Sequence, residues 1–133
     1  MELIPDRAVR IILKSDLLFD PGKAYIREDA KASLREVAQV LRQTGYMVNV
    51  VGHTDDLPIN TKEFPSNWEL STARACQVAR FLMDDMKIPE EIFYVTGHSF
   101  YQPIKPNTDD ENRAANRRVE IIITKERPYG VTQ

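Results

Sequence analysis

The chain has 133 residues, of which 42% are hydrophobic and 29% are charged, a composition typical of one folded domain. Its formal net charge is −2, which gives no electrostatic reason to expect nucleic-acid binding. Cys76 is the only cysteine, so an intrachain disulfide is excluded.

Four strands and three helices are predicted in alternation along the chain. Short β-branched runs predict strands at residues 9–14, 46–51, 92–96 and 119–124. Apolar residues at helical spacing predict helices at about 27–44, 66–86 and 108–117. This β-α-β-α-β-α-β order predicts an α/β fold in which helices pack against a sheet.

Capping boxes predict the starts of two of these helices. Ser66 with Glu69, and Thr108 with Glu111, have the spacing at which each side chain satisfies a backbone donor of the first turn. The polar loop 54–66 precedes the first of these helices. It is longer than most connections, and loops of that length are often functional.

Asp55 and Arg74 are the main candidate binding residues. Asp55 follows a predicted strand, and Arg74 lies in the opening turns of a predicted helix. An anion and a cation held by rigid elements suit a zwitterion with a free amine and a free carboxylate. The alternative is that the two side chains form an ion pair that ties the loop to the helix.

His53 and His98 are the only histidines, and each follows a glycine at a predicted strand end. They are expected to be neighbours that serve structural hydrogen bonding, since the chain lacks the H-E-x-x-H pattern of a zinc site. A wall hydrolase that uses His53, Asp55 and Asp56 as an acid/base group is the enzymatic alternative.

Three separated motifs carry a resemblance to a known family. They are Gly52-His53-Thr54-Asp55-Asp56, Asn67-x-x-Leu70-Ser71-x-x-Arg74-Ala75 and Asn116-Arg117-Arg118-Val119-Glu120. Together they resemble the OmpA-like peptidoglycan-binding domain, and the long loop after Asp55 is most similar to the MotB branch of flagellar stator subunits. The resemblance covers residues 10–125, which leaves residues 1–9 as an N-terminal extension and 126–133 as a tail.

The resemblance implies a mixed four-stranded sheet with helices on one face, no catalysis, no cofactor and no metal. It also implies that Asp55 and Arg74 hold the diaminopimelate of peptidoglycan peptide stems. Thr54, Asn67 and Leu70 match positions that line the same pocket, and Arg117 matches a position near it.

The expected function is therefore non-covalent anchoring of a cell-envelope complex, such as a flagellar stator, to the wall from the periplasm. Expected partners are peptidoglycan, a second copy of the chain and a membrane subunit, with no nucleic acid. The chain shows neither a signal peptide nor an apolar run of the about 20 residues that span a bilayer. An inner-membrane anchor is therefore expected from a segment before Met1. The same domain in an outer-membrane lipoprotein, a porin-linked protein or a secretion-system wall anchor remains an alternative.

Overall fold

The computed structural model describes residues 2–4 and 8–124, and the expected tail at 126–133 lies outside them. The strands are β1 (Glu2–Ile4), β2 (Ala8–Lys14), β3 (Met47–His53), β4 (Phe93–Gly97) and β5 (Arg118–Thr124). The α-helices are α1 (Ser15–Leu18), α2 (Lys31–Thr44), α3 (Asn67–Arg80) and α4 (Asp110–Asn116). Short 3-10 turns occupy Glu28–Ala30 and Glu90–Ile92, and a π-helical turn at Phe81–Asp85 extends α3.

The strands form one mixed sheet in the order β1-β2-β5-β3-β4. β3 and β4 are parallel, and the other neighbouring pairs are antiparallel. The α/β class and the four predicted strands are confirmed. The sheet has five strands rather than four, because Glu2–Ile4 in the expected N-terminal extension pairs with β2 at one edge.

The core lies between α2, α3 and one face of the sheet. Alternate residues of each central strand point to this face. The strand register places them side by side, for example Val48 beside Ile123 and Val50 beside Ile121. Each fully buried aliphatic side chain of this kind contributes about 1.5–3 kcal/mol. The helical side of the core is formed mainly by Leu34, Val37, Leu41, Ala75, Val78 and Leu82.

Helix termini follow the local sequence with one exception. Ser66 accepts a hydrogen bond from the Trp68 amide and caps α3, as predicted, and Gly45 ends α2 in the left-handed conformation (φ 65°). The expected cap of α4 at Thr108 is wrong. Asp109 caps this helix by accepting a 2.8 Å hydrogen bond from the Asn112 amide, and aspartate is the stronger N-cap.

Four strand termini meet along one edge of the sheet, the edge at which the strands begin or finish. β2, β3 and β4 run in the same direction, so their carboxyl ends share this edge with the start of β5. In register, Arg118 of β5 lies opposite Lys14 on one side and opposite His53 on the other. Residues just beyond the strand ends are thereby brought together, although they are far apart in sequence.

Candidate ligand-binding site

A pocket of about 500 Å³ opens at this edge of the sheet. It contains all six residues that the sequence nominated: Thr54, Asp55, Asn67, Leu70, Arg74 and Arg117. Two segments complete the lining: α1 with the loop that follows it, and the loop after β3. They contribute Asp16, Phe19, Pro21, Gly22, Arg27, Leu57, Pro58 and Ile59. The pocket thus combines apolar walls with charges of both signs, as small-molecule sites commonly do.

Asp55 is held in place by two hydrogen bonds. Its Oδ1 accepts from the Leu57 amide at 3.0 Å, and its Oδ2 accepts from Arg117 Nη1 at 2.6 Å. The residue is only 7% exposed. A carboxylate has about four lone-pair sites, so two remain for a further donor from a ligand.

Arg117 bridges two carboxylates at the pocket. Besides Asp55, it donates from Nε and Nη2 to both oxygens of Asp16, at 2.9 and 2.8 Å. The hydrogen bonds to Asp16 are the main cause of the raised Arg117 pKa, and the same contact lowers the pKa of the Asp16 carboxyl. Arg117, which immediately precedes β5, therefore holds Asp55 in position.

Arg74 is a buried cation that has no carboxylate partner in the described part of the chain. It is 4% exposed, and among the ion pairs of residues 8–124 none within 4.0 Å involves it. Its Nε and Nη2 donate to the carbonyl oxygens of Lys23 and Asp20, at 2.8 and 3.2 Å. The expected alternative of an Asp55–Arg74 ion pair is wrong, because Asp55 pairs with Arg117 instead.

The environment of the Arg74 guanidinium is partly apolar. Its central carbon lies 5.0 Å from the centre of the Phe19 ring, over its face, in a cation–π arrangement. Burial lowers the Arg74 pKa to about 10, and the charges of Asp16 and Asp55 oppose this effect. Since the side chain stays protonated at neutral pH, the pocket presents a desolvated positive charge to any anionic group that enters.

The three other nominated residues shape the walls. Asn67 donates from Nδ2 to the Leu57 carbonyl at 3.0 Å, which ties the long loop to the start of α3. Thr54 donates from its amide to the Ser99 carbonyl and from its hydroxyl to the Asp55 carbonyl, both at 2.8 Å. Leu70 packs in a small apolar cluster with Ala24 and Phe64.

The residues of the hydrolase alternative do not converge in this pocket. Asp56 pairs with Arg113 at 3.0 Å, and neither Asp56 nor His53 lines the cavity around Asp55. Within the part of the chain that the structure describes, no group of three or more His, Cys, Asp or Glu side chains has the arrangement of a metal site.

His53 belongs to a buried polar cluster on the sheet face opposite the core. Its ring stacks on His98 with centroids 5.3 Å apart, and its Nε2 lies 3.6 Å from Glu120. Arg118, 2.6 Å from Glu120, already balances that carboxylate. Burial, followed by the Arg118 charge, lowers the His53 pKa to about 3, so the imidazole is neutral near pH 7. The two histidines are neighbours, as expected, but the expected structural hydrogen bonding is not seen for His53, whose buried Nδ1 has no hydrogen-bond partner among the described residues.

The sequence did not nominate Asp16, Phe19 or Arg27, all of which line the pocket. Asp16 follows β2 just as Asp55 follows β3, and this shared position is the signal that could have identified it. Arg27 differs from Arg74, since its guanidinium already pairs with Asp29 and Asp20, at 3.0 and 3.2 Å.

Comparison with known proteins identifies the family. The model of the OmpA family matches residues 18–117, which is most of the chain. The chain belongs to the OmpA family. The matched segment includes all six nominated pocket residues.

Relatives and solved structures agree with this OmpA-family assignment. Motility protein B of Bacillus subtilis is 36% identical over 114 residues, which cover 85% of this chain and 44% of that protein. The cell wall anchor of the T6SS from Pseudomonas aeruginosa has a TM-score of 0.85 at 37% identity, covering 90% of this chain and 83% of that one. The periplasmic domain of Helicobacter pylori MotB (residues 78–256) has a TM-score of 0.85 at 29% identity, covering 96% of this chain and 82% of that one.

The OmpA-family chain spans about half the length of the curated relatives it matches, 50% of one and 44% of the next. Among the described residues, no helix is both long enough and apolar enough to cross a membrane.

Proposed function

We propose that this OmpA-family chain binds the diaminopimelate of peptidoglycan peptide stems non-covalently, and thereby anchors an envelope complex to the cell wall. The observation that carries the proposal is Arg74, a buried guanidinium that lines a pocket and has no carboxylate partner among the described residues. Burying a charge without a partner is unfavourable. A residue kept in that state is explained if the partner arrives with the ligand.

Diaminopimelate matches the charges of the pocket. Its free carboxylate would accept the remaining donors of Arg74 in a charge-assisted contact worth about 1.5–3 kcal/mol. Its ammonium would donate to Asp55, whose carboxylate can accept it while keeping the contacts to Leu57 and Arg117. Thr54, Asn67 and Leu70 would enclose the side chain between these two charges.

The binding is expected to be weak at each site. A few contacts of this size leave micromolar to millimolar affinity after the cost of association. Weak sites suit a protein that holds a polymer, because many copies of the ligand lie within reach. Two copies of the chain joined in a dimer would gain further avidity.

The similarity to motility protein B and to MotB structures supports a flagellar stator as the owner of this OmpA-family domain. The similarity to the T6SS cell wall anchor supports a secretion-system anchor as the second candidate. For a stator we infer a homodimer, a membrane partner subunit, an inner-membrane anchor elsewhere in the protein and a periplasmic location. Light scattering of the purified chain would test the dimer.

Co-sedimentation with purified, insoluble, diaminopimelate-type peptidoglycan tests the wall-binding proposal. We expect the parent chain to pellet with the wall, and Arg74→Gln and Asp55→Asn to remain in solution. Arg80→Gln and Asp56→Asn are the matched controls. Arg80 is an exposed arginine on the same helix, and Asp56 is the adjacent carboxylate. Circular dichroism should show that each variant is folded.

Lysine-type peptidoglycan provides a matched ligand. Lysine has the ammonium of diaminopimelate but lacks the carboxylate that Arg74 would bind. The parent chain should therefore bind this wall weakly or not at all. Equal binding by the parent and by both pocket variants would contradict the proposal, and release of soluble muropeptides by the parent would favour the hydrolase.

A further inference from the structure

A second surface next to the pocket carries an exposed aromatic stack. The rings of Trp68 and Tyr101 lie 5.5 Å apart at 24°, and Phe100 stacks on Tyr101 at 4.4 Å. Trp68 is 49% exposed and Tyr101 is 62% exposed, although both are large rings already in contact. Aromatic side chains left in water at one place commonly mark a binding surface.

Both rings are tied to the pocket by short, ordered connections. Trp68 is the neighbour of Asn67, which lines the pocket, and its carbonyl accepts from the Ser71 hydroxyl at 3.1 Å. Tyr101 follows Ser99 by two residues, and the Ser99 carbonyl accepts from the Thr54 amide at 2.8 Å. The backbone that carries each ring thus lies within one or two residues of a residue that lines the pocket or is hydrogen-bonded to its lining.

Trp68 also borders an open depression of about 440 Å³. Its other walls include Glu63, Glu69 and Thr72, whose side chains carry oxygen atoms able to accept hydrogen bonds from hydroxyl groups. A flat ring beside polar acceptors suits a pyranose, whose C–H groups meet the negative face of an aromatic ring while its hydroxyls bond to the oxygens.

We propose that Trp68 and Tyr101 form a sugar subsite for the glycan strand that carries the peptide stem. The inference rests on the proposed function of the neighbouring pocket. In peptidoglycan, the free ammonium and carboxylate of diaminopimelate are separated from the sugar by the diaminopimelate side chain, two further residues and the lactyl ether, an extended reach of roughly 15 Å. A stem held at Arg74 therefore carries its sugar outside the pocket onto the surrounding surface, where Trp68 directly follows the pocket-lining residue Asn67.

Two ligands that differ only in the sugar test this inference. The first is the free tripeptide L-alanyl-γ-D-glutamyl-diaminopimelate, and the second is the same tripeptide on its disaccharide. Calorimetry should show that the disaccharide-tripeptide binds about 3- to 10-fold more tightly, the range expected for one aromatic contact. Trp68→Ala and Tyr101→Ala should each remove this advantage and leave the affinity for the free tripeptide unchanged.

The chain offers a direct probe and a matched control. Trp68 is the only tryptophan, so intrinsic tryptophan fluorescence reports on this subsite alone and should change with the disaccharide-tripeptide but not with the free tripeptide. Tyr25→Ala removes a tyrosine that is 67% exposed and lies outside the aromatic stack. It should alter neither affinity.

Each other result has a distinct meaning. Equal affinity for the two ligands would overturn the sugar subsite and leave the diaminopimelate pocket intact. A sugar advantage that survives both substitutions would place the sugar elsewhere and overturn the assignment to Trp68 and Tyr101. Failure of both ligands to bind would refute the proposed function, and the sugar subsite with it.

Discussion

Arg117 Nη1 lies 2.6 Å from Asp55 Oδ2, so the carboxylate assigned to a ligand ammonium is already paired with a cation of the protein. Arg74, assigned to the ligand carboxylate, has no such partner among the described ion pairs. The pocket is therefore asymmetric. Its positive end is left for the ligand to neutralise. Its negative end is held in place before the ligand arrives, but Asp16 and Asp55 share one guanidinium, so this end keeps a negative charge for the ligand ammonium.

The Arg117–Asp55 pair should contribute measurably to folding. Asp55 has a side chain only 10% exposed, so solvent screens the pair less than it screens a surface pair. A double-mutant cycle with Arg117→Ala and Asp55→Ala, followed by urea denaturation, should give a coupling of about 1–3 kcal/mol. The exposed Arg80–Asp84 pair, at 2.9 Å, is the control and should give about 0.5 kcal/mol or less. Equal couplings would contradict the prediction.

Arg74 should be needed more for binding than for stability. Arg74→Met removes a buried charge that has no carboxylate partner among the described residues, so the free energy of unfolding should fall by only about 1–2 kcal/mol, chiefly from the lost hydrogen bonds to the Lys23 and Asp20 carbonyls. Wall binding should be lost. Arg118→Met is the matched control, because Arg118 is equally buried but pairs with Glu120 at 2.6 Å. Its loss leaves the buried Glu120 carboxylate without its nearest cation and should lower the free energy of unfolding by more than about 2 kcal/mol. A similar cost for both variants would show that Arg74 is structural.

Local sequence was sufficient to nominate Asp55 and Arg74 as candidate binding residues. Asp55 lies two residues beyond β3, and Arg74 lies within α3. Strand and helix periodicities are local properties, and the capping box of Ser66 and Glu69 set the helix start. Family resemblance alone assigned Thr54, Asn67 and Leu70 to the pocket and placed Arg117 near it.

The partner of Asp55 could not be predicted in the same way. Arg117 reaches both Asp16 and Asp55 because β5 lies between β2 and β3, and no local pattern states that order. Spacing alone favoured the nearer cation, Arg74. The short strand Glu2–Ile4 was missed for a related reason, since three residues carry too little periodicity to separate a strand from a loop.

The His53 cluster should make stability depend on pH. The folded pKa of His53 is about 3, below its ordinary value of 6.5. Between these values the unfolded chain binds a proton that the folded chain does not, so stability is complete above about pH 6.5 and is lost as pH falls toward 3. The carboxyl of Asp16, whose pKa is also lowered, acts in the same direction.

His53→Gln isolates the contribution of the histidine to this pH dependence. Between pH 7 and pH 4 the free energy of unfolding of the parent should fall by on the order of 2 kcal/mol more than that of the variant. Urea denaturation at each pH measures this difference. Glu120, Arg118, Arg10 and His98 surround the imidazole in both proteins, so the difference between them reports on its proton. Parallel pH profiles would show that His53 is protonated in the fold.

Gly52 should be required for the position of the whole α3 helix. A Cβ at Gly52 would collide with the carbonyl oxygen of Ser71, a backbone atom that cannot rotate away. Gly52→Ala must therefore push back the helix that carries Asn67, Leu70 and Arg74. It should lower the free energy of unfolding by about 3 kcal/mol and abolish wall binding. Gly45→Ala is the control, since nothing lies within 4 Å and only its left-handed φ of 65° opposes the change. Gly45→Ala should therefore lower the free energy of unfolding by about 1 kcal/mol and leave wall binding intact. An equally mild effect of Gly52→Ala would show that α3 can move without loss of the site.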